Sequence, residues 1–121
     1  MTASEAQVRR AVELYAAAWN ENDPEALAQI LSECWHPQGI ILSQTEEIYG
    51  RDALFERIKE FRGRRPGDQA YITSGPDIHH GWFRFEAIVR RPDGTEYSEG
   101  LDVGEVGNDG LILRVITFHY L

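Results

Sequence analysis

The chain is predicted to be a single α+β domain, with helices at the front and an antiparallel sheet at the back. Two observations predict this class. Apolar residues recur at helical spacing in the first half of the chain, and from Gln69 onward they alternate with a period of two. Helices followed by a run of strands are typical of α+β folds. A length of 121 residues suits one domain, residues 1–121, without linkers or repeats.

Composition and charge narrow the class of protein further. The net charge of −8 disfavours nucleic acid, because a phosphate backbone requires a basic surface that releases counterions, and it equally disfavours an anionic membrane. The single cysteine, Cys34, excludes an internal disulfide bond. The N-terminus lacks the apolar run of a signal peptide, and no stretch is long enough to span a bilayer. A cytoplasmic protein is therefore expected.

Three helices are predicted in the first half of the chain. Ser4, with Gln7 three residues later, forms a capping box at the first start, and Asp23 followed by Pro24 marks the second. The third helix runs from about residue 50 to residue 62 and ends at a Gly-rich and Pro-containing segment. The first helix carries a periodic apolar face, formed by Val8, Ala11, Val12, Tyr15 and Trp19.

The strands are predicted from alternation and from turn residues. They cover residues 39–42, a segment that starts at Tyr71 and turns at residues 75–77, and then residues 82–90, 96–106 and 111–120. Pro92-Asp93-Gly94 and residues 107–110 predict hairpin turns. Glu46 and Glu47 are predicted to lie in a solvated turn.

The two hairpin turns set the register of the last three strands. A two-residue loop at residues 93–94 makes Phe85 face Asp102. A four-residue loop at residues 107–110 makes Asp102 face Val115 and Ser98 face His119. Paired residues share a sheet face. One face is therefore predicted to contain Phe83, Phe85, Ala87, Val89, Ser98, Gly100, Asp102, Gly104, Val106, Val115, Thr117 and His119.

Asp102 is the polar residue that stands out on this apolar face, which is predicted to pack toward the first helix. An ionised and unpaired carboxylate is costly among apolar groups. Asp102 is therefore expected to be protonated near neutral pH, or hydrogen-bonded. A neutral acid that faces a cavity can donate a hydrogen bond to a developing oxyanion.

The opposite face of the same strands carries Trp82, Ile88, Leu101 and Val103. These side chains are too apolar for contact with water alone, so we predict that this face forms a homodimer interface. The adjacent His79 and His80 are not expected to bind a metal ion, because neighbours on a strand point to opposite faces and no third ligand has a suitable spacing. No glycine-rich phosphate loop or other cofactor motif is present.

The chain resembles the nuclear transport factor 2-like superfamily, and within it the SnoaL-like polyketide cyclase and ketosteroid isomerase group. Three motifs carry the resemblance: residues 15–20 with Asp23, residues 50–53, and residues 100–106 with Asp109-Gly110. They span nearly the whole chain. The resemblance implies a cystatin-like cone, in which a curved sheet wraps around N-terminal helices and leaves a pocket. The superfamily contains enzymes, binding proteins and inert scaffolds, so the fold alone implies no activity.

The resemblance also implies roles for individual residues. Ketosteroid isomerases use a tyrosine of the first helix and an aspartate of a late strand as oxyanion donors, and Tyr15 and Asp102 match these positions. Their catalytic base is a second aspartate on the short strand after the second helix. The matching position here falls at Ser43 or Gln44, neither of which is a carboxylate.

Two other activities of the same fold test the match further. Epoxide hydrolases need an arginine two residues before the strand aspartate, and Gly100 stands there, which disfavours that chemistry. In SnoaL-like cyclases a pocket acid serves as acid and base in an aldol ring closure. Asp102 fits that role, with His119 as a helper.

The leading hypothesis is an enzyme that isomerises, cyclises or dehydrates a small apolar carbonyl compound without a cofactor or metal. Its catalytic candidates are Asp102, Tyr15 and His119. Its candidate pocket residues are Trp19, Phe83, Phe85, Val115 and Thr117. Two alternatives stay open: a non-catalytic domain that binds a small hydrophobic ligand, and a dimeric scaffold whose pocket is filled by its own side chains.

Overall fold

A computed structural model describes residues 2–120 of the chain. Within this range three helices pack on one six-stranded sheet with the strand order β2-β1-β6-β5-β4-β3. The helices are α1 (Glu5–Trp19), α2 (Pro24–Cys34) and α3 (Arg51–Arg64). The strands are β1 (Trp35–Leu42), β2 (Glu47–Tyr49), β3 (Gln69–His79), β4 (Trp82–Arg90), β5 (Glu96–Val106) and β6 (Ile112–His119). The predicted α+β class is confirmed.

The helix starts are those that the capping residues predicted. The Gln7 backbone N–H donates to the Ser4 hydroxyl at 3.1 Å, and the Ser4 N–H donates to the Gln7 side chain at 2.8 Å. The Asp23 carboxylate accepts from the backbone N–H of Ala26 at 3.3 Å, with Pro24 in the first turn. These bonds satisfy backbone donors that have no partner inside the helix.

The sheet is mixed rather than fully antiparallel, because β1 runs parallel to β6 while the other four pairings are antiparallel. β1 starts at Trp35, directly after α2 and earlier than predicted. Trp35 pairs with Ile112, and pairing resumes only at Ile40, so Pro37 falls in the irregular segment, where its missing N–H costs no ladder bond. The solvated turn predicted at Glu46 and Glu47 is wrong for Glu47, which begins β2.

The turn predicted at residues 75–77 is also wrong, since β3 continues from Gln69 to His79. Its pairing with β4 is irregular on both sides of Ser74. Gly75 has a φ of +91° and lies so close to β4 that a Cβ there would be 2.7 Å from the Arg84 carbonyl oxygen. The glycine and proline therefore bend the strand without reversing it.

The register of β4 and β5 is the predicted one, with Phe85 opposite Asp102. The register of β5 and β6 is displaced by two residues: Asp102 faces Thr117, and Gly100 faces His119. The connection is longer than predicted, because Val106 pairs with Ile112, and an irregularity next to this pair adds a further residue. A displacement of two preserves the face of each side chain, since side chains alternate with a period of two.

The core lies between α1 and the concave face of the sheet. Val8 and Val12 of α1 are fully buried, as are Phe83 of β4 and Val115 of β6. On the convex side, the face formed by Trp82, Leu101, Val103, Ile116 and Phe118 is here called the outer face. No helix within residues 2–120 is long and apolar enough to cross a membrane.

Candidate active site

A cavity of about 510 Å³ is enclosed by α1, α3 and the concave face of the sheet. This size suits a small organic ligand. Most of its wall is apolar, and the apolar part includes Trp19, Ile41, Phe61, Phe85, Ala87 and Val89. Three of its polar residues are the catalytic candidates Tyr15, Asp102 and His119. The structure therefore brings these three residues to one cavity.

Asp102 projects into the cavity from the middle of β5, between Phe85 on β4 and Thr117 on β6. The Thr117 hydroxyl donates a hydrogen bond of 2.5 Å to Asp102 Oδ1. The side chain touches the cavity, but protein atoms surround it closely, and this burial raises the pKa of the carboxyl to about 6. The Thr117 hydrogen bond and the charge of His119 act in the opposite direction on this pKa.

Of the two alternatives expected for Asp102, a proton near neutral pH or a hydrogen bond, the structure shows the hydrogen bond. A pKa of about 6 means that roughly one molecule in ten carries the proton at pH 7, and that the neutral acid dominates below about pH 6. Thr117, which the predicted register placed opposite Gly100, is the neighbour that keeps the ionised form accessible.

Tyr15 lies on the buried face of α1 and is 4% exposed. Its ring stacks on Trp35, with the ring centres 5.3 Å apart and the planes 21° from parallel. Burial, followed by the negative charge of Asp102, raises the pKa of the Tyr15 hydroxyl well above its usual value. The phenol therefore stays neutral near pH 7 and keeps its O–H donor.

His119 lies at the end of β6 opposite Gly100, and not opposite Ser98 as predicted. Its backbone is held by a side chain: the His119 N–H donates to Gln44 Oε1, and Gln44 Nε2 donates to the His119 carbonyl, each at 3.0 Å. The imidazole lines the cavity on the side of Asp102.

Two of the predicted pocket residues do not line the cavity. Phe83 and Val115 flank Gly104 in a more deeply buried row of the sheet, one pleat repeat away from Asp102. They are 1% and 0% exposed and belong to the core under α1. Sequence alternation assigned them to the correct face, but it does not say how far along the strand the helix covers that face.

Glu46 and Arg57 also line the cavity, and neither was predicted to lie there. Arg57 of α3 holds the Glu46 carboxylate with two hydrogen bonds, Nε to Oε1 at 2.8 Å and Nη2 to Oε2 at 3.2 Å. Ser43 shapes the turn: its hydroxyl accepts from the Glu46 N–H at 3.2 Å, and its own N–H donates to the Glu46 carbonyl at 2.9 Å. A serine three residues before Glu46 is the sequence signal that indicates this turn.

The expected base position offers no usable base. Ser43 lines the cavity, but its hydroxyl is engaged in the turn. Gln44 is tied to the backbone of His119. Elsewhere, His79 and His80 bring their Nδ1 atoms within 3.1 Å, because His80 has a φ of 52° and leaves the strand geometry. Within residues 2–120, no group of three or more His, Cys, Asp or Glu residues is arranged to hold a metal ion.

No family model and no curated protein matches the sequence. Solved structures do match. A protein from Agrobacterium tumefaciens, provisionally named an isomerase of the SnoaL-like family, is 26% identical with a TM-score of 0.87, over 96% of this chain and 99% of that one. A protein of unknown function with a cystatin-like fold from Methylobium petroleophilum is 16% identical with a TM-score of 0.81, over 100% and 80% of the two chains.

A protein from Sinorhizobium meliloti, provisionally named a polyketide cyclase, is 18% identical with a TM-score of 0.68, over 88% of this chain and 92% of that one. The protein thus has the cystatin-like fold. Its structural neighbours are SnoaL-like and nuclear transport factor 2-like proteins, and they support the superfamily that the sequence resembles.

Proposed function

We propose that the protein is a cofactor-independent acid–base enzyme that isomerises, cyclises or dehydrates a small apolar carbonyl compound. One observation carries the proposal: a carboxyl group, Asp102, faces an apolar cavity and has its pKa raised to about 6 by burial. A carboxyl with a strongly perturbed pKa in a cleft is a characteristic feature of acid–base sites.

The role of Asp102 is to donate a hydrogen bond to the substrate carbonyl oxygen as negative charge develops there. Such a donor accelerates the reaction because the bond is stronger in the transition state than in the ground state. Tyr15 supplies a second neutral O–H donor at the same cavity. His119 lies beside Asp102, and it exchanges protons between the site and the cavity mouth.

The cavity wall defines the class of substrate. Aromatic and aliphatic side chains cover most of it, so the body of the substrate is apolar, and the polar groups near Asp102 orient its carbonyl group. The names of the similar proteins from A. tumefaciens and S. meliloti, an isomerase and a polyketide cyclase, are consistent with this class.

Binding of 2-naphthol across pH tests the role of Asp102, because its oxygen mimics an enolate oxygen and its hydroxyl stays neutral below about pH 8. In the wild-type protein, we expect the affinity to fall as the pH rises through about 6, where Asp102 loses its proton. Asp102→Asn removes this titration, so the fall in affinity through about pH 6 that Asp102 produces should disappear. Fluorescence titration measures both.

Asp52→Asn is the matched control, because it makes the same chemical change on the exposed first turn of α3. This variant should keep the wild-type pH profile. The proposed role of Asp102 is wrong if the wild-type affinity shows no pH dependence, or if Asp102→Asn retains it.

A non-catalytic domain that binds a small hydrophobic ligand is the second candidate. The observation that favours it is the absence of a free proton acceptor at Ser43 and Gln44, both of which are engaged in hydrogen bonds. A ligand that copurifies with the protein and is chemically unchanged after long incubation would support binding over catalysis.

A further inference from the structure

A second carboxylate faces the cavity of Asp102. Leu42 of β1 pairs with Glu47 of β2, and one position further along this ladder Ser43 lies opposite Glu46. In the parallel pairing of β1 with β6, Leu42 lies beside Ile116, so Ser43 lies near Thr117. Glu46, Ser43, Thr117 and Asp102 therefore form one transverse row on the concave side of the sheet. With strands about 4.8 Å apart, the α-carbons of Glu46 and Asp102 lie roughly 14 Å from each other along the sheet. The concave sheet directs both side chains into the same cavity.

The surroundings of the two carboxyl groups differ in kind. Arg57 holds Glu46 with two nitrogens in a bidentate contact, which fixes the plane of the Glu46 carboxylate. Asp102 accepts a hydrogen bond from the Thr117 hydroxyl and forms no salt bridge within residues 2–120. Paired titratable groups in such different environments divide the acid and base roles of a site between them.

We propose that Glu46 is the proton acceptor of this site and that Arg57 is the residue that positions its carboxylate. This inference rests on the proposed function, and it supplies the base that Ser43 and Gln44 cannot provide. It also narrows the substrate to ketones with an acidic C–H bond next to the carbonyl group. A substrate that fills the cavity presents its carbonyl oxygen to Asp102 and this C–H bond to Glu46.

The proton transfer balances without a cofactor. Glu46 Oε takes the α proton, the electron pair of the broken C–H bond forms a carbon–carbon double bond, and the carbonyl π pair moves onto oxygen. Asp102 and Tyr15 donate hydrogen bonds to that oxygen. The protonated Glu46 then returns the proton to the same carbon or to another carbon, which regenerates the carboxylate and gives either exchange or isomerisation.

The carboxylate oxygens of Glu46 are partly engaged in the hydrogen bonds from Arg57, so this step also depends on the other end of the cavity. Proton transfer from carbon becomes feasible when the enolate is stabilised where its charge appears. Both carboxyl groups act electrostatically on Tyr15, whose pKa each of them raises. The base, the phenol and the acid thus share one electrostatic environment.

The test uses 2-tetralone, a small bicyclic ketone, dissolved in D₂O at about pH 6 with the whole protein. Proton NMR follows the exchange of its α protons for deuterium. The wild-type protein should exchange them faster than buffer alone, and Glu46→Gln should slow the protein-catalysed rate by at least about tenfold. Glu47→Gln, the same change on the exposed neighbouring residue, should match the wild type.

Binding of 2-naphthol separates this inference from the proposed function. Glu46→Gln should still bind 2-naphthol and keep the fall in affinity through about pH 6 that Asp102 produces, which also shows that the variant is folded. If wild-type exchange does not exceed the buffer rate, or if Glu46→Gln exchanges as fast as the wild type, the role of Glu46 is wrong. A 2-naphthol affinity that changes neither with pH nor with the substitution of Asp102 overturns the proposed function instead.

Arg57 has its own test. Arg57→Ala removes the two bonds to Glu46 and should slow the exchange, while 2-naphthol binding should still weaken as the pH rises through about 6 because Asp102 is intact. Added methylguanidinium should restore part of the rate, which a purely structural defect would not allow. An exchange rate equal to that of the wild type overturns the positioning role.

Discussion

Asp102 links the stability of the fold to pH at the scale of a single residue. Its carboxyl has a pKa of about 6 in the folded protein, against an ordinary value of 3.8 for an exposed aspartate. Below both pKa values the carboxyl is neutral in the folded and the unfolded chain, so its charge does not lower the free energy of unfolding. As the pH rises from about 4 to about 6, the unfolded chain ionises first and the folded state loses stability. Above about pH 6 the loss is complete.

Asp102→Asn should therefore stabilise the protein at alkaline pH and not at acid pH. A difference of about two pKa units corresponds to at most about 3 kcal/mol, reduced by the hydration of a side chain that faces a cavity. Urea unfolding at about pH 4 and about pH 8 measures the effect. An equal gain at both pH values would show that the charge of Asp102 is not its cause.

The elements show which parts of the fold follow from the sequence. β4 and β5 have the predicted boundaries, because strong alternation and a Pro-Asp-Gly turn define them locally. The register between β5 and β6 does not follow from the sequence, since it depends on an irregularity next to Val106 that no residue pattern marks. The face assignment was nevertheless correct, and it brought Asp102, Thr117 and His119 to the cavity.

β2 and the Glu46 turn illustrate the opposite case. β2 has only three residues, and its place in the sheet comes from pairing with β1, which lies beside β6 through a parallel contact far apart in sequence. Such pairing is decided by tertiary packing and not by local propensity. The contact between Glu46 and Arg57 depends on it, so the second carboxylate of the cavity was not predicted.

Gly104 gives a prediction at the scale of two packed strands. A Cβ at this position would lie 2.3 Å from the Phe83 ring and 2.7 Å from the Arg114 carbonyl oxygen. Phe83 cannot move freely, because its ring stacks on Phe85 with the centres 5.8 Å apart. Gly104→Ala should therefore destabilise the fold by about 1–3 kcal/mol.

Gly63→Ala is the control for this substitution. Gly63 lies inside α3, and a Cβ there meets no atom within 4 Å. The same change should stabilise the protein by about 0.5–1 kcal/mol, because alanine restricts the unfolded chain and favours a helix. Thermal or urea unfolding compares the two variants, and a loss of stability in both would argue against the packing explanation.

The whole molecule leaves a large apolar surface on the convex side of the sheet. On the outer face, Phe118 is 50% exposed, Ile116 is 41% exposed and Trp82 is 37% exposed. Salt bridges between Arg84 and Asp77 and between Arg114 and Glu105 border these side chains. Apolar patches with a polar rim are characteristic of protein interfaces. The homodimer stays a prediction, and the outer face is its predicted interface.

Sedimentation velocity at micromolar concentration checks the homodimer. The wild-type chain should sediment as a dimer, and Phe118→Lys should sediment as a monomer, because a buried unpaired charge at an interface costs several kcal/mol. Ala17→Lys, on the exposed side of α1 away from the sheet, should leave the dimer intact. A wild-type chain that sediments only as a monomer would contradict the prediction.

The amide of Gln44 acts as a substitute peptide group at the rim of the cavity. It makes with the backbone of His119 the two hydrogen bonds that a further residue of β1 would otherwise make. A strand residue is released only when its own backbone moves, whereas a glutamine is released by rotation about its side-chain bonds. The rim of the cavity beside His119 is therefore held by side-chain hydrogen bonds, and their loss would leave the backbone pairing of β1 intact.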